Sequence, residues 1–506
     1  MKIVMSLIAL ICVTSTSIAE LRMSAIFSDH MVLQQKAPIH VWGWTAGGQE
    51  ITIEFDGIKT TDRAGADGRF DIVLPAHDAG GPFTLKVIAD ETKEFTDVLV
   101  GEVWVCSGQS NMQWAVQQSD DPDLEALTAN YPQIRLVSLP QVGTQETQTT
   151  FNGAWTTCTP ETVKDFSAVG YFFGRQLHQT LNVPVGLIDN AWGGSSCEAW
   201  IRRELMEGPE IYQPLMERWK QTEATYDYEA EMKKYEAARA EWEKTKQGNR
   251  PNPPQNQLKN QHRPGNLYNG MIQPILGYTI RGAIWYQGES NASRAYQYRE
   301  MFPLMIQNWR DDWKQGDFPF YWVQLADFTA EDVEPTGSNW AELREAQTMT
   351  MSRLPKTGEA VIIDIGEGRD IHPRNKQDVA KRLARWALAN EYGISVPFQS
   401  PTYKSHTVEG NKIVVKFDHA GPTLYSFDKD EVVGFQIAGE DQKFVWARGK
   451  ITGNDTVEVS AESVSSPVAV RYAWSNNPVC NLYSRNGLPA NPFRTDDWKG
   501  VTADAR

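Results

Sequence analysis

The chain has 506 residues, 41% apolar and 22% charged, with 18 Trp and a formal net charge of −15. That length exceeds what one core holds and predicts two or three domains. The acidic balance argues against a nucleic-acid partner, whose phosphates require Lys and Arg in excess, while aromatic richness without basic charge fits carbohydrate handling.

Residues 1–19 have the pattern of a signal peptide. Lys2 precedes an apolar run over 3–13, and Ser17-Ile18-Ala19 forms a small-x-small cleavage site before Glu20. The run is too short to cross a bilayer, and Cys12 lies inside it, so an exported protein without membrane insertion is expected, periplasmic or secreted. Cys106, Cys158, Cys197 and Cys480 remain after cleavage, and all three pairings stay open.

Over 20–96, short alternating runs such as PIHVWGW, EITIEF, GRFDIVL and FTLKVIA are separated by glycine turns, which predicts an N-terminal β-sandwich domain. Over 97–396 apolar strands (LVGEVWVC, VPVGLIDNAW, IRGAIWYQ, FPFYWVQLA, EAVIIDIG) alternate with helical stretches. This is the signature of an α/β domain with a buried parallel sheet and helices on both faces. A charged, helix-periodic insertion interrupts it around 204–260, and 397–506 returns to strand alternation as a C-terminal β domain.

In open α/β sheets ligands sit beyond the carboxyl ends of the strands. Those ends deliver Ser107-Gly108-Gln109-Ser110-Asn111, Gly193-Gly194-Ser195-Ser196, Gln287-Gly288-Glu289-Ser290-Asn291, and a final segment with Asp370 and His372. A hydroxyl, a glycine turn, an amide with a carboxylate, and an imidazole form the inventory of acyl transfer. Asn111-Met112 after Ser110 departs from the G-x-S-x-G elbow of ordinary α/β-hydrolases. No H-E-x-x-H or paired C-x-x-C points to a metal.

The motifs GQSNMQW, AWGGSSCEAW, WYQGESN and DIHPRNK, with LYNGMIQPI and the tail RYAWSNNP…NLYSRNGLPANPFRTDDW, resemble SGNH-type hydrolases, specifically the sialate O-acetylesterase family. The resemblance implies Ser110 as nucleophile and His372 as general base. It also implies an oxyanion hole from Ser110, Gly194 (Gly193 as fallback), Gln287 and Asn291, and no cofactor. The usual Asp three residues before the His is Arg369 here. Glu289 is favoured to orient His372, Asp370 remains open, and Asp364 is a weaker third. Asn111 and Trp192 are expected to contact substrate, with Trp114, Trp200 and Tyr286 as aromatic surroundings. A sialic acid carboxylate calls for a cation, with Arg344 first among Arg369, Arg374 and Arg485. The function so implied is a serine esterase acting on O-acetylated sugars, most closely sialic acids. An acetylxylan esterase and an inactive sugar-binding protein are the alternatives.

Overall fold

One strand of 17 residues, Thr92–Gly108, ties the first two regions together in the computed structural model, which describes residues 20–506. The expected signal peptide, 1–19, lies outside the described residues. The strand's first six residues alternate between exposed and half-buried, and the rest are continuously buried. Alternation marks a sheet with one wet face; unbroken burial marks a parallel sheet covered on both. The expected boundary at 96/97 therefore falls inside a strand shared by both halves.

Before it, a three-stranded sheet (Arg22–Met23, Ile39–Trp44, Arg69–Leu74) faces Glu50–Phe55, Ile58–Arg63 and Gly80–Ile88. Their inward residues, Ile39, Val41, Ile51, Ile53, Phe70 and Val87, share one core.

The central sheet runs in the order Thr156–Cys158, Tyr131–Ser138, Val185–Ala191, Thr92–Gly108, Gly282–Tyr286, Phe320–Val323, Thr357–Ala360. All its pairings are parallel except that of the short Thr156–Cys158 edge. Alternate residues of the Thr92–Gly108 strand serve opposite faces: Trp104 and Cys106 join a core with Phe173 and Leu383, while Val103 and Val105 join one with Phe302 and Trp309. Helices Ala168–Leu181 and Lys376–Asn390 thus cover one face, and Ala295–Trp313 with Asn339–Arg353 the other.

The last strand ends at Ala360, short of the expected EAVIIDIG. Val361 and Ile363 instead enter the core of the C-terminal β region, so this stretch is apolar because it bridges two cores. That region is a seven-stranded sheet, antiparallel throughout, from Thr402–Glu409 to Phe493–Arg494, with a two-stranded companion.

The insertion forms helices Gln213–Thr225 and Tyr228–Thr245, the second with no buried residue. Glu223 anchors the first, accepting from Arg203 at 2.6 Å and Arg263 at 2.9 Å. The four cysteines among the described residues are unpaired. No helix among the described residues is long and apolar enough to cross a membrane.

Candidate active site

Gly108 is flanked in the sheet by Ala191 on one side and Tyr286 on the other, so the segments after these three strands emerge side by side. Its φ is +139°, and an added Cβ would lie 2.2 Å from the Tyr286 carbonyl oxygen. Only glycine lets the chain turn there. The turn delivers Ser110 as the first residue of the one-turn helix Ser110–Gln113. The Gln109 side chain ties this turn to the next, its Oε1 accepting from the N–H of Gly288 at 3.3 Å and of Ser290 at 3.4 Å.

Ser110 Oγ stands 2.8 Å from His372 Nε2, the donor–acceptor geometry of a hydroxyl bonded to a neutral imidazole. The His372 ring stacks on Trp114, centroids 4.5 Å apart and planes 13° from parallel. Asp370 Oδ1 accepts the His372 backbone N–H at 2.9 Å and lies 3.5 Å from Nδ1, long for a hydrogen bond but close enough to bias the ring's tautomer. Burial lowers the His372 pKa, and the charge of Lys376 lowers it further against the opposing pull of Asp370. The imidazole is thereby kept in its basic form.

Glu289, expected at the imidazole, is elsewhere. Its Oε1 accepts from Asn111 Nδ2 at 2.7 Å and its Oε2 is buried with no protein partner. Burial raises its pKa despite that bond. Asn111 is corrected too: its amide is buried and fully engaged, donating also to the Ile371 carbonyl at 3.0 Å and accepting from Lys376 Nζ at 2.6 Å. It fastens the serine turn to the histidine loop and leaves no group for substrate.

The expected oxyanion donors separate into two layers. The Gly193 N–H donates to Gln113 Oε1 at 2.7 Å and is occupied. Gly194, at φ +73°, has an N–H with no acceptor among the described residues, as does Ser110 at the helix start. These two N–H groups are available to an anion. Gln287 and Asn291 are not, because both are buried behind the turn. Gln287 Nε2 donates to the Ser195 carbonyl and to Asn291 Oδ1, at 3.1 and 2.7 Å, while Asn291 Nδ2 donates to Glu198 at 2.9 Å. They brace the glycine turn from inside.

Arg344 is a further correction. Its guanidinium is wholly buried and donates to the carbonyls of Leu325, Ala326, Ser475 and Asn476, docking the C-terminal region. Trp200 and Tyr286 are core residues and Trp114 backs the imidazole; Trp192 alone of the four stays half-buried beside the turn without a ring partner. Asp364 is held by Arg382 at 2.6 and 2.7 Å, a loop-ordering pair. Arg374 pairs with Glu367, Arg485 lies over the Tyr425 ring, and Arg369 is exposed. Sequence reasoning missed Lys376 and the stacking role of Trp114; the only sequence trace of the former is its position four residues after His372.

Residues 100–233 and 255–384 match the sequence profile of the family described as carbohydrate esterase, sialic acid-specific acetylesterase. Sialate O-acetylesterases of Pongo abelii and Mus musculus are each 30% identical over 93% of this chain, spanning 92% and 94% of their own lengths. The crystal structure of a carbohydrate acetylesterase from Xanthomonas citri superposes with a TM-score of 0.80 at 38% identity, covering 95% of this chain and all of that one. With the match extending across the catalytic sheet and both flanking β regions, this chain belongs to the sialic acid-specific acetylesterase family of carbohydrate esterases.

Proposed function

We propose that the protein is a serine esterase that removes O-acetyl groups from carbohydrates, sialic acids first among them, after export through its N-terminal 1–19 segment. The observation that carries this reading is the 2.8 Å contact between Ser110 Oγ and His372 Nε2. The likeness to sialate O-acetylesterases supports the substrate class.

In the first half-reaction Ser110 Oγ attacks the acetyl carbonyl carbon while its proton passes to His372 Nε2. The negative charge that develops on the carbonyl oxygen is met by the N–H groups of Ser110 and Gly194. Collapse breaks the bond to the sugar oxygen, which takes the proton from His372 and leaves as a hydroxyl. Water then adds to the acetyl-enzyme, gives its proton to His372, and acetate departs as the proton returns to Ser110. Asp370 holds the tautomer that presents Nε2 to the serine.

The test is acetate release from an O-acetylated sialic acid and from acetylated xylan, with wild type and Ser110→Ala. Release from sialate that disappears in the variant supports both mechanism and substrate. Release from xylan alone keeps the mechanism and moves the substrate to a neutral polysaccharide. A folded wild type that releases acetate from neither overturns the reading in favour of a sugar-binding protein.

A further inference from the structure

The first helix of the insertion walls a cavity of about 310 Å³ whose lining includes Ser196, Glu198, Arg218, Trp219, His262 and Arg294. Its size is that of a small-ligand pocket. The cavity begins where the glycine turn ends. Ser196 lies two residues beyond Gly194, its N–H donating to the Gln261 carbonyl at 3.2 Å, and Gln261 Nε2 donates to the Gly193 carbonyl at 3.3 Å. Ser196 Oγ and His262 Nδ1 are 2.9 Å apart, and burial lowers the His262 pKa, so this side of the pocket is uncharged.

The charges do not cancel. Arg294 is bound to Glu198 at 2.5 Å, and the other oxygen of Glu198 is taken by Asn291 at 2.9 Å. The Arg218 side chain makes no hydrogen bond or ion pair within the described residues; burial lowers its pKa, and the repulsion of Arg294 lowers it further against the pull of Glu198. Around the same helix Arg203 and Arg263 share Glu223, and on the second helix Arg239 pairs with Glu243. The Arg218 guanidinium therefore has no carboxylate partner among the described residues and faces a cavity that the half-buried Trp219 also lines. A planar guanidinium suits a carboxylate, and an indole lining the same cavity suits the ring that carries it.

We propose that this cavity receives the carboxylate-bearing part of the substrate, with Arg218 as its ionic partner and Trp219 against the ring. Arg218 is then the residue that selects O-acetylated sugar acids over neutral acetylated sugars. The assignment rests on the acetylesterase reading above and supplies the cation that Arg344, locked in backbone contacts, does not.

Steady-state kinetics of wild type, Arg218→Met and Arg369→Met test it on an O-acetylated sialic acid, on its methyl ester, and on an aryl acetate. Arg218 is exposed, so its replacement spares the fold. The expected result for Arg218→Met is a KM about 10-fold or more higher on the free acid, as for loss of a charge-assisted contact, with kcat kept and the other two esters unaffected. Arg369→Met is expected to leave all three unchanged. An unchanged KM on the acid, an equal loss on all three esters, or a loss caused by Arg369→Met instead overturns the assignment while leaving the esterase reading intact. Absence of turnover of every ester by wild type overturns that reading and this assignment with it.

Discussion

Lys376 Nζ lies 2.6 Å from Asn111 Oδ1 and 5.1 Å from the centre of the Tyr286 ring, which sets a buried amine directly behind the residue next to Ser110. Burial pulls its pKa from 10.5 to about 7, so it takes on charge as the medium becomes acidic. That charge then opposes protonation of His372.

The acid limb of kcat/KM follows from this. In the proposed mechanism His372 must be neutral to accept the serine proton, and its pKa is held below the ordinary 6.5. Activity is expected to persist through pH 6.5 and to fall as the medium drops through the lowered value. A pH profile on an aryl acetate measures the midpoint; one above 6.5 contradicts the account.

Lys376→Met removes the opposing charge and frees Asn111 Oδ1. The acid limb is expected to move upward. Stability carries a pH signature as well. Because the folded pKa is depressed, the unfolded chain binds more protons between about 7 and 10.5, so Lys376 makes wild type gain stability as pH rises through that window. Urea denaturation at pH 7 and 9 compares the two proteins, and parallel behaviour would remove Lys376 from the argument.

Asp370→Asn and Glu289→Gln separate the two acids. Asp370 touches the imidazole but is half exposed and 3.5 Å away, so its loss is expected to lower kcat on the order of 10- to 100-fold, less than for a buried triad acid. Glu289→Gln keeps an acceptor for Asn111 and is expected to change kcat by less than about 5-fold, well short of a general-base loss. The reverse ranking, measured by single-turnover acetyl transfer, would return the orienting role to Glu289.

Gly194→Ala forces a Cβ into a positive-φ turn, costing roughly 1–2 kcal/mol locally and shifting the one free N–H of the turn. A kcat loss on the order of 100-fold with KM nearly unchanged is expected. An undiminished kcat would take Gly194 out of the oxyanion hole.

Arg344→Met removes a donor from four carbonyls and leaves those of Leu325 and Ser475 unserved, while Ala326 keeps the Trp340 indole and Asn476 the Phe328 N–H. Stability is expected to drop by at least about 3 kcal/mol in denaturant titration. KM for an acidic sugar should stay as it was; a selective KM rise without destabilisation would restore Arg344 to substrate binding.

The strand-end rule pointed to Ser110 and Gly194 because they follow neighbouring strands, Gly108 pairing with Ala191, while His372 reaches Ser110 from a loop well past the last strand's end at Ala360. The same rule overreached at Gln287 and Asn291. An amide after a strand end reads alike whether it points into the cleft or behind it, and here the inward direction is set by Tyr298 on the following helix and by Cys197 and Glu198, which are distant in sequence. Arg344 misled for a related reason: four carbonyls from two other segments converge on it only in the folded chain. Lys376 opens a helix and reads as a solvated charge until the glycine-108 turn and Asn111 are laid over it. Arg218 sits in an insertion whose composition describes an exposed helix, and its missing partner is a property of its neighbours.

The 17-residue strand from Thr92 to Gly108 extends up to roughly 55 Å at the rise of extended chain, beginning in the first sandwich and ending at the serine turn. The outer sheet is therefore no detachable appendage. An esterase trimmed to start at 97 would keep Ser110 and His372 yet forfeit the front third of the rod on which Ser110 is mounted, together with the strand Gly80–Ile88 that splints it. Any transplant of this active site into another protein has to carry the leading β layer along.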